Sequence, residues 1–221
     1  MTDPPDGPWL IVLAGPNGAG KSTFFDVFLR RRGFRFVNAD LIARGLPGDD
    51  RADVAYRAAG LAEIERRALV ARGDTFVMET VFSDPAGAKL GLLRDARARG
   101  YRVAFVYIGL AGAPLSQARV IQRVAQGGHD VPDDKIRKRL PRSLENARQA
   151  LQFVDAAWVL DNSDADHPFQ LVATTRAGQV IHIVPSAPRW CRRILPRTHR
   201  WGRGRPGSRR NVTPPYRRTN S

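Results

Sequence analysis

A chain of 221 residues with 43% hydrophobic content has the size and composition of one globular domain with a substantial core. A lone cysteine, Cys191, excludes an internal disulfide framework and a multi-cysteine metal site, and it fits a reducing compartment. The net charge of +15 does not describe the whole chain: residues 187–221 hold eleven arginines and no acid, leaving +4 for the 186 residues before them.

In chain order, the first residues, Met-Thr-Asp-Pro-Pro-Asp-Gly-Pro, are polar and lack the basic start and apolar run of a signal peptide. No later run approaches the roughly 20 apolar residues that span a bilayer. The expectation is a soluble cytoplasmic protein with no membrane partner. Trp9 to Ala14 reads as a strand buried on both faces. A helix follows from Lys21 through Phe24, Phe25, Phe28 and Leu29, then a short strand Arg35–Val37 leading to Asn38-Ala39-Asp40.

Residues 51–72 read as a long helix with Val54, Ala58, Leu61, Ile64, Ala68 and Leu69 on one face. Thr75 to Met78 is a third strand ending at Glu79. Ser83-Asp84-Pro85 reads as a cap and helix start, and that helix stops at Gly100. Arg102–Ile108 is a fourth strand. Two arginine-rich helices are expected at 114–125 and about 133–153, with Pro141 kinking or interrupting the second.

Ala156–Leu160 is a fifth strand, and Phe169–Ala173 with Gln179–Val184 read as two further strands paired around Arg176-Ala177-Gly178. The alternation predicts an α/β protein of P-loop NTPase type, with a mostly parallel five-stranded sheet and helices on both faces. Trp190, Ile194 and Leu195 are expected to dock as a last helical turn. From Arg197 onward the composition of Arg, Gly, Pro, Ser, Thr and Asn predicts a disordered basic tail.

Gly15-Pro16-Asn17-Gly18-Ala19-Gly20-Lys21-Ser22 matches the pattern G-x-x-x-x-G-K-[ST] between a strand and a helix. Glycines let the backbone curl so that its N–H groups converge on phosphate oxygens, and the helix that follows offers its positive end to the same anion. Gly15, Asn17, Gly18, Ala19, Gly20, Lys21, Ser22 and Thr23 are therefore the expected ATP-binding residues. Lys21 reaches the β- and γ-phosphates, and Ser22 is the expected magnesium ligand.

No Asn-Lys-x-Asp guanine-reading motif is present, and no apolar strand ends in Asp-Glu. Single carboxylates stand instead at two strand ends, where the ligand crevice of such a sheet lies. Asp40 is the candidate base for an attacking hydroxyl, with a helix N-cap as its plain alternative. Glu79 is assigned to substrate hydroxyls or to magnesium through water, with a solvated strand-end charge as its alternative; Thr80 and Ser83 follow it on the acceptor side. Among Arg119, Arg123, Arg137, Arg139 and Arg142, Arg123 ranks first and Arg119 second for offsetting transition-state charge. The Gly127-Gly128 pair is the expected hinge beside them, and His129 reads as structural or substrate-facing.

Ala-Gly-Pro-Asn-Gly-Ala-Gly-Lys-Ser-Thr (14–23), Asn-Ala-Asp (38–40), Glu-Thr-Val-Phe-Ser (79–83), Arg-Val-Ile-Gln-Arg-Val with Gly-Gly-His-Asp-Val-Pro (119–132) and Asp-Asn-Ser (161–163) together resemble the zeta-toxin family of P-loop kinases. The resemblance covers roughly residues 8–195. It implies an adenylate-kinase-like enzyme that moves a phosphoryl group from ATP to an alcohol, with UDP-N-acetylglucosamine as the acceptor of the founding toxins. By motif, Lys21 and Ser22 match the nucleotide-binding pair, Asp40 the base and Arg123 a phosphate-stabilising arginine. The founding toxins continue their third strand into Glu-Gly-Thr-x-Arg, whose arginine helps hold the sugar nucleotide; this chain has Glu79-Thr80-Val81-Phe82-Ser83.

The expected division is a kinase domain over 1–195 and an accessory tail over 196–221. The expected partners are a small-molecule acceptor of the sugar-nucleotide kind and, by resemblance, an antitoxin-like inhibitor protein. The rival reading is a nucleic-acid-directed P-loop enzyme that uses the basic tail as an anchor, with steep salt dependence.

Overall fold

The computed structural model describes residues 7–125 and 131–196. The predicted tail, the Gly127-Gly128 hinge and His129 lie outside these residues. Seven strands form one sheet in the order β2-β3-β1-β4-β5-β6-β7. They are β1 (Trp9–Ala14), β2 (Arg35–Val37), β3 (Phe76–Thr80), β4 (Arg102–Gly109), β5 (Ala156–Asp161), β6 (Gln170–Arg176) and β7 (Gln179–Ile183). The first five pair in parallel, while β6 and β7 are antiparallel.

The expected five-stranded sheet is thus corrected to seven. The two further strands form a hairpin, as expected, but β6 also pairs with β5 from Ala156↔Arg176 to Asp161↔Gln170 and so extends the sheet. The two-residue turn Ala177-Gly178 reverses the chain within one sheet, and no sequence pattern distinguishes that from a detached ribbon.

β1 lies inside the sheet between β3 and β4, where the winding changes direction and the carboxyl ends of the strands open a crevice. Its residues alternate between two cores. Leu10, Val12 and Ala14 face one, and Ile11 and Leu13 face the other. The first core is covered by α3 (Arg51–Arg72), α4 (Ala88–Ala98), α6 (Asp133–Ala150) and α7 (Arg189–Ile194). Residues of α1 (Lys21–Phe24) and the turns after it cover the second, where Phe25 stacks on Phe36 with ring centroids 3.7 Å apart. Helices α2 (Ala39–Arg44) and α5 (Ala113–Ala125) complete the set.

Local departures from expectation have local causes. The helix begun at Lys21 widens into a π turn over Phe25–Leu29 and tightens over Arg30–Arg32 before Gly33 ends it. α3 has the predicted bounds, but its buried stripe is Ala58, Ala62, Arg66, Leu69 and Val70, while Leu61 and Ile64 face outward. Ser83-Asp84-Pro85 is not a helix start. Helix α4 begins at Ala88 after Gly87, and Asp84 receives the Lys89 N–H at 3.3 Å from the turn before it. Pro141 lies inside one unbroken helix, whose later half is tied to the 81–84 loop by Ser143 and Asn146. As expected, α7 closes the described chain, with Ile194 buried and Trp190 and Leu195 packed against the core.

Candidate functional site

The glycine-rich loop leaves β1 in a conformation only glycine tolerates. Gly15 has φ 147°, and a Cβ there would stand 2.1 Å from the Ile108 carbonyl oxygen of β4. Gly20, at φ 86°, starts α1, and a Cβ on it would meet the Asn162 amide at 2.8 Å. Asn162, from the end of β5, donates from Nδ2 to the Ala19 carbonyl at 3.0 Å and accepts the Phe169 N–H at 3.1 Å. Ser116 of α5 donates to the Asn17 carbonyl at 2.6 Å. Two elements distant in sequence therefore brace the loop. Neither Asn162 nor Ser116 carries a periodicity or spacing that would have singled it out as a brace.

Lys21 follows the loop and is buried, with its ammonium donating to the Pro16 carbonyl at 3.0 Å. Burial pulls its pKa down from the ordinary lysine range, against the opposing pull first of Glu79 and then of Asp40. A fixed cation lies under the loop, only partly compensated by carboxylates.

Glu79 ties three elements together. Its carboxylate accepts the Ser22 hydroxyl at 2.8 Å and the Asn38 amide at 2.7 Å, and lies 3.8 Å from the Lys21 ammonium. Of the two assignments given to Glu79 from sequence, these contacts favour the Ser22 side. A hydroxyl beside a carboxylate is the hard-oxygen donor set that suits Mg²⁺ when nucleotide phosphates and water complete the shell. Ser22, with Glu79 behind it, fits the ion that a P-loop implies. Among the described residues no group of three His, Cys, Asp or Glu residues could hold a metal by itself.

Asn38 is the N-cap of α2, where its Oδ1 accepts the backbone N–H of Asp40 at 2.7 Å and of Leu41 at 3.2 Å. Asp40 lies inside the first helical turn, so the cap role offered as its alternative belongs to Asn38. The amide orientation of Asn38 is fixed by chemistry: backbone N–H groups must face its oxygen, and the Glu79 carboxylate must face its nitrogen. This one side chain therefore sets Asp40 relative to the Ser22–Glu79 pair.

Arg123 of α5 brings its guanidinium to 3.9 Å from the Asp40 carboxylate, whereas Arg119 stands against the loop, its Cβ 3.0 Å from where a Gly18 Cβ would be. Asp40 and Arg123 share with Lys21 a pocket of about 480 Å³ whose lining also includes Asn17, Glu79, Thr80 and Ser83. Arg119 does not line it. Thr80 uses its hydroxyl to accept the Phe82 N–H at 2.9 Å, bending a loop in which Phe82 has the strained φ of 59°. Thr23 is exposed and lies outside the pocket. Arg66, unremarked in the sequence, lines the pocket and reaches from α3 to the Glu79 carbonyl at 3.1 Å.

No helix among the described residues is long and apolar enough to cross a membrane. A model of the AAA domain family matches residues 10–147. Among curated proteins nothing matches the chain. Solved structures share the fold at low identity. One is from the PezAT chromosomal toxin–antitoxin system of Streptococcus pneumoniae, at 18% identity and TM-score 0.57, covering 76% of this chain and 72% of that one. A second is the AvrRxo1-ORF1:-ORF2 structure with ATP, at 16% identity and TM-score 0.60, covering 90% and 67%. A third is from the Pnkp1/Rnl/Hen1 RNA repair complex, at 20% identity and TM-score 0.51, where the match spans 67% of this chain and 48% of that chain. The resemblance to the zeta-toxin type is borne out at the level of fold.

Proposed function

The chain belongs to the AAA domain family, and we propose that within it the protein is an ATP-dependent kinase that transfers the γ-phosphoryl group to a hydroxyl of a small molecule. One observation carries the reading: a carboxylate on a helix start, Asp40, opens into the same pocket as the P-loop lysine, with Arg123 3.9 Å from it. In this reading the loop amides and Lys21 hold the triphosphate. Asp40 accepts the proton of the acceptor hydroxyl, and the freed oxygen forms the new bond to the γ-phosphorus as the bond to the β–γ bridging oxygen breaks. The electron pair of that bond leaves with ADP. Arg123 and Lys21 offset the charge spread over the moving group. Ser22, backed by Glu79, would hold Mg²⁺, which supplies further charge neutralisation on the β- and γ-phosphates when bound.

UDP-N-acetylglucosamine, the acceptor implied by the resemblance, is the first candidate. The experiment is mass spectrometry after incubation with ATP, Mg²⁺ and a panel of sugars, sugar phosphates and sugar nucleotides. A gain of one phosphate on an acceptor is expected; ADP formation with no phosphorylated product contradicts kinase chemistry. The likeness in fold to a structure from a toxin–antitoxin system makes an antitoxin-like inhibitor a partner to seek.

A second reading is a nucleic-acid-directed kinase. It is favoured by the fold shared with the RNA repair complex and by the arginines of residues 197–221. Deleting residues 197–221 separates the two: turnover of a small acceptor survives under the first reading and polynucleotide phosphorylation fails under the second.

A further inference from the structure

We propose that the acceptor is selected by a phosphate group of its own, read in the pocket by Arg139 and Arg142 of α6 with Lys89 of α4. The proposal rests on the kinase reading and names the substrate class for that site: a small phosphorylated polyol that needs no nucleobase.

Charge in the pocket is out of balance. Its lining includes six cations, Lys21, Arg66, Lys89, Arg123, Arg139 and Arg142, against the carboxylates of Asp40, Glu79 and Asp84. Lys21 is engaged by Glu79 at 3.8 Å and Arg123 by Asp40 at 3.9 Å. Arg66 and Lys89 share the carboxylate of Glu63, at 3.7 Å and 3.6 Å. Arg139 and Arg142 have no carboxylate at ion-pair distance among the described residues. Arg142 only donates from Nε to the Lys138 carbonyl, 3.2 Å away on its own helix. Unpaired guanidinium groups lining a cavity call for an anionic ligand, and their planar fork matches phosphate oxygens.

The same face of α6 is bolted to the loop that forms the acceptor wall. Ser143 donates to the Val81 carbonyl at 2.6 Å, and the Asn146 amide to the carbonyls of Phe82 and Asp84, both at 3.1 Å. Positions 139, 142–143 and 146 are spaced by one helical turn, so the arginines and the bolts share a face. That puts two arginines in the pocket lining where the third strand, which continues Glu79-Thr80-Val81-Phe82-Ser83, carries none.

Among the described residues of the pocket lining a nucleobase finds no aromatic platform. Phe82 is the one aromatic residue among them; it is 1% exposed and packs against Phe105, with centroids 5.2 Å apart. Bases are held by exposed ring faces or by base-edge hydrogen bonds, whereas a phosphomonoester needs only the cations.

The test measures binding by calorimetry and ATP-dependent transfer for the full chain with three probes: N-acetylglucosamine, its 1-phosphate and UDP-N-acetylglucosamine. The 1-phosphate is expected to exceed the neutral sugar in kcat/KM by about tenfold or more, the range for hydrogen bonds to a charged group. The UDP form gains nothing beyond it. Arg139→Gln and Arg142→Gln each lower the ratio of phosphorylated to neutral acceptor by roughly tenfold, and the lysine variants restore part of it. A merely structural role would lower both acceptors together and leave that ratio unmoved, which would overturn the proposal. Equal use of the neutral sugar and its 1-phosphate, failure of the 1-phosphate to bind, or turnover confined to the UDP form would overturn it too. Binding of the 1-phosphate with no transfer to any of the three probes supports the subsite and refutes the kinase reading; transfer indifferent to the phosphate does the reverse.

Discussion

Two walls line the pocket, and they are made in opposite ways. The first wall is one continuous octapeptide on the end of β1, cross-braced by Asn162 and Ser116, with its lysine 6% exposed. The second wall is gathered from α2, the end of β3, α5 and α6, and its working side chains are more open: 56% exposed for Asp40 and 37% for Arg123. A buried backbone cradle tolerates few residue types, so its chemistry is written locally. A wall of half-exposed side chains from four segments can change its occupant while the cradle stays the same. On this view donor chemistry is fixed by the first wall and acceptor identity by the second.

Lys21→Ala should do the most harm, lowering ATP affinity on the order of a hundredfold or more, as expected when a buried charged partner is removed; equilibrium titration with a fluorescent nucleotide checks it. Undiminished affinity would mean that the first wall does not hold triphosphate. On the second wall, Arg123→Gln should reduce kcat on the order of 10²- to 10³-fold, the usual cost of one transition-state donor, with ATP affinity little changed. Arg119→Gln, outside the pocket, should cost less in steady-state kinetics; the reverse ranking would reassign the arginine.

Asn38 joins the two walls. Asn38→Ser keeps a capping oxygen for α2 but loses the donor to Glu79, so kcat/KM should fall about tenfold, in the range of supporting residues around a metal site, with the melting temperature nearly unchanged. The smallest effect concerns stability. Because burial lowers the pKa of Lys21 in the folded chain below 10.5, the unfolded chain binds more protons between those two values, and stability rises with pH across that window. Melting temperatures of the wild type should therefore gain on those of Lys21→Met as pH climbs toward 10.5, and an unchanging difference would contradict the burial.

What the sequence revealed follows the same division. The glycine spacing, the strand before it and the helix after it were legible because each obeys a short-range rule. Asp40 and Glu79 could be found because strand ends converge in a parallel sheet. Asn38 read only as part of a motif, since its double role as cap and bridge needs Glu79 to arrive from 41 residues away. Arg66 was invisible for the opposite reason: an arginine in a helix reads as surface, and its burial rests on the Glu79 carbonyl, brought from another element, together with Glu63. The face of α3 was misread because Leu61 and Ile64 outweigh alanines in any hydrophobic count, yet alanines let the helix approach the sheet. Joining of the β6–β7 hairpin to β5 depends on how the 162–169 connection reverses the chain, which periodicity does not encode.

Asp40→Asn decides whether the two walls cooperate in phosphoryl transfer. With ATP affinity and acceptor turnover measured side by side, affinity should stay near that of the wild type while turnover falls by a factor on the order of 10² to 10⁴, the contribution of a positioned general base. Near-normal turnover in that variant would contradict transfer through Asp40.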